Sequence, residues 1–170
     1  TSNERAWPAL RQALHNYGLT TSPDDCALAL RGLRSMGVRL AQHWKNAEAL
    51  IAWFKQQPEV ARVLYPALPE DPGHAIWKRD FSGACGLFGV ALKKEVSEPA
   101  LHALIDGLRL FGRGYSWGGF ESLLIQSLPE RSVTPPVHDG LMFRVHAGLE
   151  DPHDLIADLE AGFARLRARP

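Results

Sequence analysis

Apolar side chains recur every three or four positions at the start of the chain, where Trp7, Leu10, Leu14 and Tyr17 share one face and Gly18 follows. This spacing predicts an amphipathic helix from Asn3 to about Leu19, closed by a glycine free to adopt the left-handed conformation. Thr21-Ser22-Pro23-Asp24-Asp25 reads as the next helix start. Ser22 can cap, Pro23 suits the first helical position, and the aspartates favour the positive end of the helix dipole. Apolar residues then continue through Leu28, Leu30, Leu33, Met36, Leu40, Trp44, Leu50, Ile51 and Phe54, with no proline before Pro58, so one long helix is expected. Gly32 and Gly37 each weaken such a helix by up to ~1 kcal/mol relative to alanine, and are expected to mark close packing or a bend.

The periodicity then changes. Val60 to Tyr65 is a short β-branched run ended by Pro66, and reads as a strand followed by a proline-rich turn region from Pro66 to Gly73. Ala84 to Leu92 is apolar throughout and predicts a strand buried on both faces. Ser97 opens a helix with Leu101, Leu104, Ile105 and Leu108 along one side. Glycines cluster at Gly112, Gly114, Gly118 and Gly119, and the apolar stretch Leu123 to Ile125 follows, as a loop leading into a strand. Leu141 to Ala147 alternates, with Met142, Arg144 and His146 on one face and Phe143, Val145 and Ala147 on the other, which is a strand pattern. Glu150 to Asp154 begins a closing helix whose apolar side is Leu155, Ile156, Leu159, Phe163 and Leu166. The order predicts an α+β domain, helices packed on a small, mainly antiparallel sheet.

The 170 residues are enough for one domain with a real core. Nineteen basic and nineteen acidic residues cancel and are scattered apart from Arg165, Arg167 and Arg169, so the chain lacks the basic surface that nucleic acid requires. No apolar run approaches the ~20 residues of a bilayer helix. Cys26 and Cys85 have no CxxC partner and are expected to be buried thiols of a cytoplasmic protein. The chain opens on Thr1 with no signal-peptide pattern, which fits a piece of a longer polypeptide as well as a trimmed or processed amino terminus.

Two features carry candidate chemistry. Arg144 places a permanent charge in an otherwise apolar strand, where an unpaired guanidinium is expensive to bury, so it needs an anionic partner. That partner is either a nearby Asp or Glu or a ligand carboxylate gripped through two parallel hydrogen bonds. The loop Gly114-Tyr115-Ser116-Trp117-Gly118-Gly119 can turn sharply and approach something closely, or can simply be a tight turn between core elements. Ser116 lacks a GxSxG context, and the glycine spacing is not that of a phosphate loop. The histidines, among them His43, His74, His138, His146 and His153, show no HxxxH or HxH pairing. Lys78-Arg79-Asp80 and Lys93-Lys94 read as solvated turns or strand ends. No catalytic residue and no metal ligand is assigned.

Four stretches together resemble a known family. Arg31-Gly32-Leu33-Arg34 with Arg39, Trp77-Lys78-Arg79-Asp80-Phe81-Ser82-Gly83, Tyr115 to Leu123, and Arg144-Val145-His146-Ala147-Gly148-Leu149-Glu150-Asp151 are similar, in order, to the carboxy-terminal part of the Cys/Met-metabolism pyridoxal-phosphate enzymes. The resemblance implies the C-terminal domain of a fold type I, transferase-like enzyme. It implies a linking helix over residues 1–20 that follows a missing cofactor-binding domain, and a substrate-carboxylate-binding domain over residues 21–170. Tyr115-Ser116-Trp117-Gly118-Gly119 resembles the β-lyase branch, whereas γ-synthases and γ-lyases usually place leucine at Trp117. It further implies that Arg144 holds the substrate α-carboxylate, that Ser116 orients it, and that Trp117 and Tyr115 wall the pocket. The implied substrate is a thioether amino acid such as cystathionine, cleaved to homocysteine, pyruvate and ammonia by a complete enzyme that is a homo-oligomer. The family's cofactor lysine lies upstream of the match to Thr1, and none of the five lysines, Lys45, Lys55, Lys78, Lys93 and Lys94, sits in its motif. This polypeptide alone is therefore expected to be inactive. The alternatives are a part of a γ-specific relative, and a free-standing module that binds a small carboxylate or a partner protein through Arg144.

Overall fold

A computed structural model describes residues 3–134 and 138–169. Helix α1 spans Trp7–Tyr17 and ends as the glycine signal requires, with Gly18 at φ 62°. Helix α2 runs from Pro23–Phe54 without interruption, and at its start the Ser22 hydroxyl accepts the Asp25 N–H at 3.0 Å. A Cβ placed on Gly37 would meet nothing within 4 Å, so close packing is not why glycine stands there.

Strand β1 (Val60–Leu64), helix α3 (His74–Asp80), strand β2 (Leu87–Leu92), helix α4 (Glu98–Asp106), strands β3 (Leu123–Ser127) and β4 (Met142–His146), and helix α5 (Pro152–Arg167) follow. Ser97 and Asp151 cap α4 and α5, accepting the N–H groups of Ala100 and His153. The sequence reading missed α3. Its seven residues are too few to show a helical apolar period, and Lys78-Arg79-Asp80 form its exposed last turn rather than a connecting turn or strand end. The strand expected from Ala84 begins only at Leu87, and Leu87 and Gly89 on its second face are half-buried.

The chain divides into two compact units, residues 1–37 and residues 38–170. The second contains a four-stranded sheet in the order β1-β2-β4-β3, with every neighbouring pair antiparallel. One face carries Phe88, Val90, Leu124, Phe143 and Val145, all at most 3% exposed. Against it pack Leu50 and Phe54 of α2, Leu101 and Leu104 of α4, and Leu155, Leu159 and Phe163 of α5. Phe54 is the keystone, with its ring centroid 5.8 to 6.0 Å from those of Phe88, Phe143 and Phe163. A buried Asp158 ties α5 to the end of α4 by accepting the backbone N–H groups of Arg109 and Leu110 at 2.8 to 3.0 Å. The other face of the sheet carries Gly89, Ile125 and Arg144 in register.

Both cysteines are exposed, contrary to the expectation of buried thiols. Cys26 lies in the first turns of α2, and Cys85 lies in the segment entering β2, where an apolar groove lined by Trp44, Trp77 and Phe81 opens. No helix among the described residues is long and apolar enough to cross a membrane.

Candidate functional site

Arg144 stands in the middle of β4, with Gly89 opposite on β2 and Ile125 opposite on β3. Leu64 packs over Gly89, where a Cβ would come within 3.3 Å of the leucine Cδ1. A cavity of about 460 Å³ there has Leu64, Gly89, Leu141, Met142 and Arg144 in its wall. The guanidinium is half-buried, and no carboxylate among the described residues pairs with it. Its Nη2 instead donates to the carbonyls of Gly114, Tyr115 and Ser116 at 3.2, 2.7 and 3.3 Å. Nε and Nη1 have no partner among the described residues, so each keeps an N–H for an anion, while both two-nitrogen edges of the fork share the engaged Nη2.

The loop therefore meets Arg144 through its backbone. The side chains of Tyr115, Ser116 and Trp117 are exposed, Tyr115 at 81% and Trp117 at 63%, and none of the three lines the cavity at Arg144. All four candidate residues thus belong to one strand-and-loop assembly, in which Arg144 is held and the three loop side chains are free.

Behind this assembly lies a set of polar residues that the sequence reading did not single out. Ser122 donates its hydroxyl to Glu150 Oε2 at 2.8 Å and its N–H to Oε1 at 2.8 Å, while accepting the Gly148 N–H at 2.8 Å. Asn46 of α2 donates to the carbonyls of Gly148 and Glu150, both at 2.9 Å. One turn earlier, His43 Nδ1 donates to the Ala147 carbonyl at 2.7 Å. A Cβ on Gly148 would overlap the Phe120 carbonyl and the Glu150 carboxylate, so only glycine lets the loop's far end approach β4's exit. Asn46 and Ser122 are fully buried. The available signal was His43 and Asn46, two polar residues three apart on the apolar stripe of α2.

His146, two residues beyond Arg144 on the same face, is 3% exposed and reaches the other half of the loop. Its Nε2 lies 3.1 Å from the Gly118 nitrogen and 3.1 Å from the Gly119 carbonyl oxygen. Burial pushes its pKa below the usual histidine value.

A four-stranded antiparallel sheet with helices on one face is the fold of the C-terminal portion of fold type I pyridoxal-phosphate enzymes. Residues 1–164 match the family described as Cys/Met metabolism PLP-dependent enzymes, and the chain belongs to that family. It is 46% identical over 170 residues to a cystathionine beta-lyase of Salmonella typhimurium, covering 97% of this chain and 43% of that protein. It is also 42% identical over 160 residues to an L-alanine/L-glutamate racemase of Wolbachia pipientis, covering 92% of this chain and 40% of that protein. Among solved structures, a cystathionine gamma synthase from Xanthomonas oryzae in complex with cystathionine is similar, with a TM-score of 0.83 and 32% identity, over 99% of this chain and 45% of that one. The chain thus spans less than half the length of the relatives it matches.

Proposed function

We propose that this chain is the carboxylate-binding C-terminal part of a pyridoxal-phosphate-dependent cystathionine β-lyase, a cytoplasmic homo-oligomer that converts cystathionine and water to homocysteine, pyruvate and ammonia in methionine biosynthesis. The observation that carries the reading is Arg144, a half-buried guanidinium with one nitrogen anchored on three carbonyls and its remaining donors without a carboxylate. Anchoring removes rotamer freedom in advance, so an amino-acid carboxylate meets a clamp whose ordering cost is already met. The family resemblance assigns Ser116 to orienting the substrate and Trp117 and Tyr115 to walling it, and all three side chains are exposed on the same loop.

The residues of this chain do not fit the cofactor's own needs. Its aldehyde requires a lysine amine, and the cavity at Arg144 has no lysine in its lining. Lys55 and Lys94 are engaged by Glu70 and Asp139. Binding and orientation are therefore assigned to this chain, and the bond-breaking steps are not. The complete activity requires the preceding domain of the parent enzyme, and the chain alone is inactive.

A γ-specific enzyme uses the same clamp, and the fold likeness to the γ-synthase supports it. Trp117 favours the β-lyase reading, because γ-synthases and γ-lyases usually place leucine at this position. In a complete enzyme, Trp117→Leu is expected to move selectivity toward γ-substrates, and unchanged selectivity would remove that preference. Two measurements on the chain itself test the main reading. Titration with cystathionine should give saturable NMR shifts at the Gly114 to Ser116 amides that Arg144→Gln abolishes, and shifts that survive Arg144→Gln would overturn the clamp. Borohydride reduction after incubation with pyridoxal phosphate should leave no lysine stoichiometrically labelled, and full labelling of one would overturn the division of labour.

A further inference from the structure

The turn after Trp117 has no packing to hold it. Gly118 is in the left-handed region at φ 85°, and a Cβ on either Gly118 or Gly119 would find nothing within 4 Å. The side chains of Tyr115, Ser116 and Trp117 are exposed and anchor nothing. Arg144 grips the carbonyls only as far as Ser116, and the loop is held again from Phe120 onward, where the Phe120 carbonyl accepts the Leu149 N–H; between them the contact is His146.

A single ring nitrogen cannot serve both neighbours of His146 Nε2 at once. Bare, it accepts the Gly118 N–H; protonated, it donates to the Gly119 carbonyl and turns its proton toward that of Gly118. His43 faces a carbonyl at Nδ1 and must donate there, so in its neutral form Nε2 keeps a lone pair, and that atom is buried without a partner among the described residues. His146 Nδ1 and Trp44 Nε1 are likewise buried without a partner among the described residues, and the two histidine ring centroids are 5.1 Å apart. A proton on His146 Nδ1 leaves Nε2 bare for Gly118.

We propose that His146 is the positioning residue of the Ser116–Trp117 turn: neutral, with its proton on Nδ1, it accepts the Gly118 N–H and thereby sets where Trp117 stands. Protonation converts Nε2 to a donor, breaks the Gly118 bond and releases the turn toward Gly119. The titratable and charged groups facing the ring are His43 from α2, Arg144 on β4 itself and Glu150 from the turn into α5; Gly86, just before β2, lacks a side chain that would block the ring's approach. Burial holds the ring neutral, which agrees with this assignment. That the positioned Trp117 matters to a substrate rests on the function proposed above; the turn itself does not.

The test is amide exchange and ring nitrogen NMR on the full 170-residue chain. At pH above the histidine range, the His146 ring should show its proton on Nδ1, and the Gly118 amide should exchange more slowly than that of Gly119. As His146 titrates, protection at Gly118 should fall about tenfold beyond the intrinsic pH effect, while β2 and β4 amides keep theirs. His146→Phe should cause the same loss at neutral pH and remove the pH step, and His146→Gln, whose amide oxygen can still accept, should restore much of the protection. A proton on Nε2, or Gly118 protection that ignores the titration, would overturn the proposal even if the phenylalanine variant fails to fold. No ligand, cofactor or turnover enters these readouts, so a chain that binds no carboxylate would refute the functional reading and leave this one standing.

Discussion

The two halves of α2 carry apolar residues at similar helical spacing and meet opposite fates. Leu28, Leu30, Leu33, Met36 and Val38 are 44 to 74% exposed, whereas Ala47, Leu50, Ile51 and Phe54 are at most 2% exposed. Both halves form helix, because a 3.6-residue period and a good cap suffice for that. The second half is covered by a sheet and by α5, and there the polar residues on the stripe, His43 and Asn46, find backbone carbonyls to bond. Periodicity specifies a face; it does not specify what buries it.

The largest effects should fall where that burial is complete. Phe54→Ala or Phe143→Ala should lower unfolding free energy by about 3 to 5 kcal/mol in urea titrations, since each opens a cavity among aromatic rings. A loss near 1 kcal/mol would mean that the core repacks freely. Asp158→Ala should cost about 1 to 2 kcal/mol, because it removes the acceptor of the Arg109 and Leu110 N–H groups. A smaller dependence comes from His146. Its folded pKa lies below the ordinary value of 6.5, so its contribution to stability is complete above that value and is lost as pH falls through the folded pKa. Chemical denaturation midpoints should therefore drop on acidification, and less so in His146→Gln.

Arg167, which joins the end of α5 to Glu59 at 2.7 Å near the sheet edge, is half-exposed, and Arg167→Ala should cost under about 1 kcal/mol. Leu33→Ala should change stability by less than about 0.5 kcal/mol. A value comparable with that of Phe54→Ala would erase the contrast between the halves of α2. That exposed stripe should instead show in sedimentation as concentration-dependent association, weakened by replacing Leu28 and Leu33 with glutamine. A clean monomer at high concentration would favour a free-standing module.

Much of the fold was legible locally. Gly18, Ser22 and Ser97 terminate or start helices by chemistry confined to a few neighbours, and the alternation of β4 put Arg144 and His146 on one face before any partner was known. The short α3 was not legible, and neither was the exposure of the two cysteines, because each depends on what surrounds the segment. At the site, the sequence singled out Arg144 and the glycine-rich loop. It did not show that the arginine's first partners are three carbonyls of that same loop.

The chain's amino-acid order by itself determined most of its helices, the alternating strand β4, the caps that bound α2 and α4, and the family to which these elements belong, since those signals are carried by near neighbours and motif order. Tertiary structure alone decided which half of α2 is core, that Ser122 locks onto Glu150 28 residues away, and that His43 and Asn46 reach carbonyls more than 100 residues distant. The physical reason is that a hydrogen bond or a packed ring depends on position in space, and pattern along a chain fixes direction within an element without fixing the element's neighbour.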